Sequence, residues 1–233
     1  LPTLHYEKII DLTHPIATSM PVWPGDPKVE IFTNADLNTD GFNLNVFAIG
    51  EHTGTHIGVA AHFQTDETTI DKLAVTTLFL PCVVANLTQF CEDNPDFEFS
   101  LSHLSSWESI HGIVPAGSIF LAHTGWSKYW GEDKYFGKAP DNSLHFPGFD
   151  PEVVKFLIVA RKVSGLGIDT AGIDPGKDAF FASNKVLLHG QRFHLENLNN
   201  LSQLATVGSH LFIGALNITG GTGSPARIIA LSP

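Results

Sequence analysis

Apolar residues in this chain come in short runs closed off by glycine and proline, not in long helical stripes. Phe42-Asn-Leu-Asn alternates with period two and leads into Val46-Phe-Ala-Ile-Gly, which predicts a strand running straight into the segment that begins at Glu51. Leu78-Phe-Leu-Pro-Cys-Val-Val-Ala-Asn-Leu predicts a second strand, with Pro81 pointing to an edge or a strand start because proline cannot donate to a ladder. Ser118-Ile-Phe-Leu-Ala-His, Gly165-Leu-Gly-Ile-Asp, His210-Leu-Phe-Ile-Gly-Ala-Leu and Ala226-Arg-Ile-Ile-Ala-Leu have the uniform apolarity of buried strands. Helical spacing is rarer. Leu104, Trp107 and Ile110 line one face of 102–110, and Asp150-Pro151 is a helix start with a side-chain cap and proline at the first turn. That second helix carries Val153, Val154, Leu157 and Ile158 and ends near Arg161-Lys162. Strands outnumber helices, so the expected fold is α/β, with a central mixed sheet flanked by a few helices. No repeat or long linker divides the chain, and a single domain over residues 1–233 is expected.

Composition narrows the function more than the fold. Thirteen basic residues against 24 acidic ones, a formal charge of −11, argue against a nucleic-acid surface. No apolar run approaches the roughly 18 residues that span a bilayer. The two cysteines, Cys82 and Cys91, form neither a disulfide framework nor a C-x-x-C pair, which favours a reducing, cytoplasmic setting. Two features pull toward secretion instead. The chain starts at Leu1 with its only methionine at Met20, as if an initiator or leader were removed, and it carries three N-x-[ST] triplets at Asn86, Asn200 and Asn217.

The chemistry concentrates in Glu51-His-Thr-Gly-Thr-His-Ile-Gly-Val-Ala-Ala-His-Phe, where His52, His56 and His62 fall within eleven residues. His52 and His56 are four apart, but Gly54 and its threonines disfavour a helix, so the pair is expected on a turn after a strand. A turn can still converge two imidazoles on one ion, and it can equally spend them on backbone groups. His62 reads as a third ligand, a general base or a half-buried core histidine. Glu196 follows an apolar stretch and can be a proton carrier, a ligand or a salt-bridge partner of Arg192. His189 and His194 flank it without being singled out. Trp23, Trp126 and His145, at the ends of elements, are candidate pocket walls, although aromatics there more often serve the core. Gly220-Gly-Thr-Gly-Ser-Pro reads as a wide turn between strands rather than a phosphate cradle. No G-x-S-x-G elbow, Rossmann fingerprint or P-loop lysine is present.

Taken in order, these segments resemble the cyclase family of metal-dependent hydrolases, to which bacterial kynurenine formamidase and isatin hydrolase belong. The resemblance runs from Ile10-Asp-Leu-Thr-His-Pro and Val22-Trp-Pro-Gly-Asp-Pro through the histidine segment. It continues at Thr124-Gly-Trp-Ser-Lys-Tyr-Trp-Gly, Gly167-Ile-Asp-Thr-Ala-Gly-Ile-Asp-Pro-Gly and Leu195-Glu-Asn-Leu-Asn-Asn-Leu, and closes at Gly220-Gly-Thr-Gly-Ser-Pro-Ala-Arg. It implies a swivelling β/α/β-like fold, homodimers or higher oligomers, and a small-molecule substrate. It also implies zinc or manganese held by the signature H-x-G-T-H-x-D-x-P-x-H-F. Carried over by position, His52 and His56 match metal ligands, while His62 and Glu196 match the proton-handling pair. Two ligand positions depart: Gly58 stands where the family has aspartate, and Asn184 where it has a later histidine. Ala60 also replaces the proline.

Loss of a bridging carboxylate argues against two metals. At most one weakly held zinc or manganese ion is expected, on His52, His56 and a further group such as Glu196. Two functional readings follow. The first is an enzyme acting on a small cyclic or aromatic amide, lactone or carbonyl compound, by hydrolysis or by metal-independent acid/base isomerisation, dehydration or cyclisation. The second is an inactive family member that binds a small molecule or serves a structural role.

Overall fold

The computed structural model describes residues 3–233. Its strands are β1 (Lys8–Asp11), β2 (Glu30–Ala35), β3 (Leu44–Ala48), β4 (His56–Val59), β5 (Phe79–Asn86), β6 (Glu98–Phe99), β7 (Ile119–His123), β8 (Gly148–Phe149), β9 (Gly165–Ile168), β10 (Phe193–Glu196), β11 (Ser209–Ala215) and β12 (Gly223–Ser232). The helices are α1 (Leu37–Asp40), α2 (Thr88–Cys91), α3 (Leu101–His111), α4 (Pro151–Val159) and α5 (Ala182–Leu187). The main sheet runs β1-β12-β11-β5-β7-β9-β10-β4, and β12 also pairs with β4. That extra pairing closes seven strands into a barrel-like ring, because β12 is long enough to serve β11 and β1 along one part and β4 at its start. β5, β7, β9 and β10 are mutually parallel and the remaining pairings of this sheet are antiparallel. The fold is thus the expected α/β architecture around a mixed sheet.

Side-chain alternation builds two apolar layers from the same strands. On β7, Ile119 and Leu121 point into the ring, where they meet Ile57, Val59, Phe193, Leu195, Leu211 and Ile228. Phe120 and Ala122 point outward, where α3 and α4 cover them with Leu104, Trp107, Val153 and Leu157. Each buried Val, Leu, Ile or Phe side chain among these contributes on the order of 1.5–3 kcal/mol. Asp150 caps α4 through its carboxylate to the Glu152 N–H, with Pro151 in the first turn, as the sequence predicts. Ser100 and His103 cap α3 reciprocally.

Pro81 lies in an interior strand, not at an edge. β5 pairs with β11 over Phe79–Cys82 but with β7 only from Cys82 onward. At Pro81 one side of the strand is therefore still unladdered, and the missing N–H costs nothing.

The alternation also sets the site. On β4, Ile57 and Val59 face the ring interior, and on β10 so do Phe193 and Leu195. His56 and Gly58, with His194 and Glu196, are left on the opposite face. The antiparallel register sets Glu196 against His56 and His194 against Gly58. Four consecutive pairings thus hold every polar position of the two strands on one small patch.

Candidate active site

The segment from Glu51 to Thr55 is a turn, and His56 is the first residue of β4. Gly54 supplies the left-handed backbone (φ 72) that brings His52 back over His56. The two rings meet edge-on with centroids 5.2 Å apart, and His62 stacks on His52 at 3.6 Å. His194 reaches the same point from β10, its ring centroid 5.4 Å from that of His56. Ring nitrogens of His52, His56 and His194 lie within 4.8 Å of one another.

Hydrogen bonds on the far side of each ring fix its tautomer. His56 Nδ1 sits 2.9 Å from the Gly54 carbonyl, which can only accept, so Nδ1 carries the proton and Nε2 the lone pair. The same carbonyl accepts from Asn197 Nδ2 (2.9 Å), and Asn197 Oδ1 accepts from the buried Tyr135 hydroxyl (2.7 Å). His52 Nε2 is 2.9 Å from Thr222 Oγ1. That hydroxyl donates to Glu51 Oε2 (2.8 Å), so it accepts from His52 and leaves Nδ1 unprotonated. Asn184 Nδ2 donates to Asp174 Oδ2 (2.7 Å), which turns Asn184 Oδ1 toward His194 Nδ1 at 2.6 Å. His194 Nδ1 is then the donor, and its Nε2 is bare.

The consequence is chemical. His52 Nδ1, His56 Nε2 and His194 Nε2 are all buried and all lack a hydrogen-bond partner among the described residues. Three imidazole lone pairs converge with nothing to accept them, and unpaired buried polar atoms are costly. His56 Nε2 also lies 3.4 Å from Glu196 Oε2, a lone pair against a carboxylate oxygen. The donor set fits one divalent cation, for which three neutral imidazoles are a common cage.

Burial works against protonation of His194 and His52. It pushes His194 down to about 3, against the opposing pull of Glu196, and lowers His52 further still, helped by the three neighbouring histidines. His62 is lowered by burial too, partly offset by Glu196 and Glu51. Burial of Glu196 raises its pKa; the charge that His194 or His56 would bring when protonated, and the Ile173 N–H on Oε1 (2.8 Å), lower it.

A cavity of about 340 Å³ opens over this patch. His52, His62, His194 and Glu196 form its polar end, while Trp23, Phe63 and Phe181 wall it with aromatic rings. The structure therefore brings together His52, His56, His62, Glu196 and Trp23. The other two candidate walls do not line the cavity. Trp126 is buried in the aromatic cluster against which Trp23 packs, its indole donating to the Tyr135 carbonyl at 2.9 Å. His145 is bonded to Asp96 (2.8 Å) and Ser143 (3.1 Å). Both are spent on internal structure.

Glu196 does not pair with Arg192, whose guanidinium goes to the His189 carbonyl. Asn184 is occupied by His194 and Asp174 instead of offering a ligand atom. His194 is the residue that sequence reasoning passed over. Its signal was present in Phe193-His-Leu-Glu, because in a strand His194 must share the face of Glu196. Thr222, inside the glycine-rich turn, also becomes part of the site.

Comparison with known proteins agrees with this geometry. The Cyclase family model, described as "Putative cyclase", matches residues 10–175. Isatin hydrolase from Roseibium aggregatum is 31% identical over 97% of this chain and 92% of its own length. Kynurenine formamidase from Bacillus cereus is 24% identical over 94% of this chain and 95% of its own. Among solved structures, isatin hydrolase A from Labrenzia aggregata bound to benzyl benzoate superposes with a TM-score of 0.91, at 30% identity over 97% of this chain and 93% of that one. An isatin hydrolase bound to the product analogue thioisatinate gives the same TM-score, 0.91, at 30% identity over 97% and 92% of the two chains. With a family match over more than half its length and a relative of this identity along nearly all of it, the chain belongs to the cyclase family of hydrolases.

Proposed function

We propose that this protein is a metal-dependent hydrolase that opens the amide bond of a small cyclic or aromatic compound. The observation that carries the reading is the convergence of three bare imidazole nitrogens at the polar end of an aromatic-walled cavity. Its relatives named for isatin and kynurenine formamide chemistry support a ring-bearing amide as substrate class.

His52, His56 and His194 would hold the ion. When bound, a divalent cation polarises a carbonyl and lowers the pKa of water. The chain's own residues do the rest. Trp23, Phe63 and Phe181 take the planar ring and exclude water from around it. His62, kept neutral by burial, accepts a proton from water as the water oxygen adds to the carbonyl carbon. It then returns that proton to the leaving nitrogen as the C–N bond breaks. Glu196 remains ionised throughout and orients the water by accepting a hydrogen bond from it.

The test is hydrolysis of a panel of cyclic imides, lactams, lactones and N-formyl aromatic amines by chelator-stripped protein, with and without added zinc or manganese. Metal-restored cleavage of at least one ring-bearing amide is expected. Cleavage of none by protein shown to carry metal would overturn the proposal.

We also propose that a second copy of the chain covers the β2–β3 arm. Ile31, Phe32, Leu44, Val46 and Phe47 are each at least 40% exposed, and alternation spreads them over both faces of this two-stranded ribbon. A lone ribbon with both faces apolar and wet is at best marginally stable. Sedimentation should show a dimer or larger assembly, dissociated by Phe32→Glu with Phe47→Glu. No helix among the described residues is long and apolar enough to cross a membrane.

A further inference from the structure

Gly58 and His194 face each other across the β4–β10 ladder. A Cβ on Gly58 would overlap His194 Nε2 and lie 2.7 Å from Cε1 and 2.8 Å from Cδ2. The backbone at Gly58 is outside the left-handed region, so it does not itself require glycine. What requires glycine is room for the imidazole. Behind the ring stands a buried relay of His194 Nδ1 to Asn184 Oδ1, and Asn184 Nδ2 to Asp174 Oδ2. Asp174 is anchored in turn by the Ser183 N–H (2.5 Å) and the Asn184 N–H (3.3 Å). His194, Asn184 and Asp174 are each at most 4% exposed. Every component of this arrangement aims one nitrogen, His194 Nε2, at the meeting point of His52 and His56.

We infer that His194 is a metal ligand delivered across the ladder into space vacated at Gly58, with Asn184 and Asp174 as the residues that position it. The inference deepens the metal-hydrolase reading and rests on it. It has a consequence for metal choice. The three ligands carry no charge and no carboxylate, so the site favours imidazole-preferring zinc or cobalt over manganese or magnesium. The device also explains why Asn184 is an amide. It must accept from His194 on one side and donate to a carboxylate on the other, which neither an acid nor an aliphatic side chain does.

The experiment titrates apo protein with zinc alone and manganese alone against a chromophoric chelator. Circular dichroism checks folding, and the cobalt(II) visible spectrum reports ligand geometry. Wild type should bind one equivalent of zinc more tightly than manganese. His194→Phe keeps the ring volume and removes the nitrogen, and should weaken zinc by at least about 100-fold. Asn184→Ala should weaken it by about 10–100-fold and shift the cobalt bands, because the imidazole loses its orientation. Gly58→Ala should behave like the His194 variant. Gly58→Asp combined with His194→Ala places a carboxylate in the freed space, and should recover binding with the preference moved toward manganese. Should Gly58→Ala not fold, His194→Phe decides.

Folded His194→Phe that binds zinc like wild type would overturn the ligand assignment alone. Wild type that takes up neither ion would overturn the metal reading as a whole.

Discussion

Tyr135→Phe tests whether the support behind His56 is as tight as its geometry implies. Tyr135 is fully buried and its hydroxyl does one thing, donating to Asn197 Oδ1 at 2.7 Å. Asn197 Nδ2 holds the Gly54 carbonyl, and that carbonyl holds His56 Nδ1. Phenylalanine preserves the ring packing against Trp130 and Phe136. What disappears is one buried hydrogen bond, and what remains is a bare acceptor on Asn197, itself 7% exposed. A net hydrogen bond is worth about 0.5–1.5 kcal/mol, and an orphaned buried acceptor costs about 1–3. These overlap, so the expected loss is about 1–3 kcal/mol. For a chain of this size that corresponds to a fall in Tm of roughly 2–12 °C. The assay is urea unfolding of the metal-free protein, since bound metal would add its own linkage to the folded state. The midpoint should drop with m unchanged. Metal affinity should also fall, because His56 is freer to turn. A loss below about 0.5 kcal/mol would show that Asn197 holds the loop without Tyr135, and would refute a supporting role for its hydroxyl.

Three further outcomes are expected. His62→Ala should lower kcat by about 10²–10⁴ while leaving metal content unchanged, because in the proposed reaction His62 carries protons and it is not one of the three residues whose nitrogens converge; steady-state kinetics with metal analysis separates the two. Thr222→Val deprives His52 Nε2 of its acceptor and should cost about 10–100-fold in metal affinity by chelator competition. His14 is stacked on Trp130 at 4.0 Å, its Nε2 has no hydrogen-bond partner among the described residues, and burial lowers its pKa to about 4 from 6.5. The unfolded chain therefore binds the extra proton between pH 6.5 and 4, so this histidine's contribution falls as pH drops through that window. His14→Phe keeps the stack and should gain on wild type in unfolding free energy as pH falls from 6.5 to 4. A gap that stays constant with pH would refute the assignment.

Much of the scaffold could be read directly from the chain, for identifiable reasons. The α4 start carries its cap and its proline in sequence, and the strands β5, β7, β9, β11 and β12 announce themselves as short apolar runs. β4 and β10 do not. Each has four residues, and each alternates core side chains with the polar groups of the site, so neither reads as an apolar run. Ring closure was equally hidden, because it depends on β12 changing partners along its length. Trp126 and His145 look like pocket walls by type and position, but hydrogen bonds to Tyr135 and Asp96 commit them elsewhere.

The ligand set shows most clearly where a single sequence stops. Motif reading treats position 58 as a ligand that is present or absent. In the fold, position 58 is one half of a cross-strand pair, and the pair as a unit presents side chains to the patch. Opposite residues in an antiparallel ladder lie about 4.5–5.5 Å apart, so either partner can reach the same point in space. A ligand can then move from one strand to the other without moving the site, provided the vacated position is small and the new side chain is oriented from behind. Gly58 meets the first condition, and Asn184 with Asp174 the second. The two positions that depart from the family signature are therefore parts of one arrangement, and the physical reading of a missing ligand must include the strand beside it.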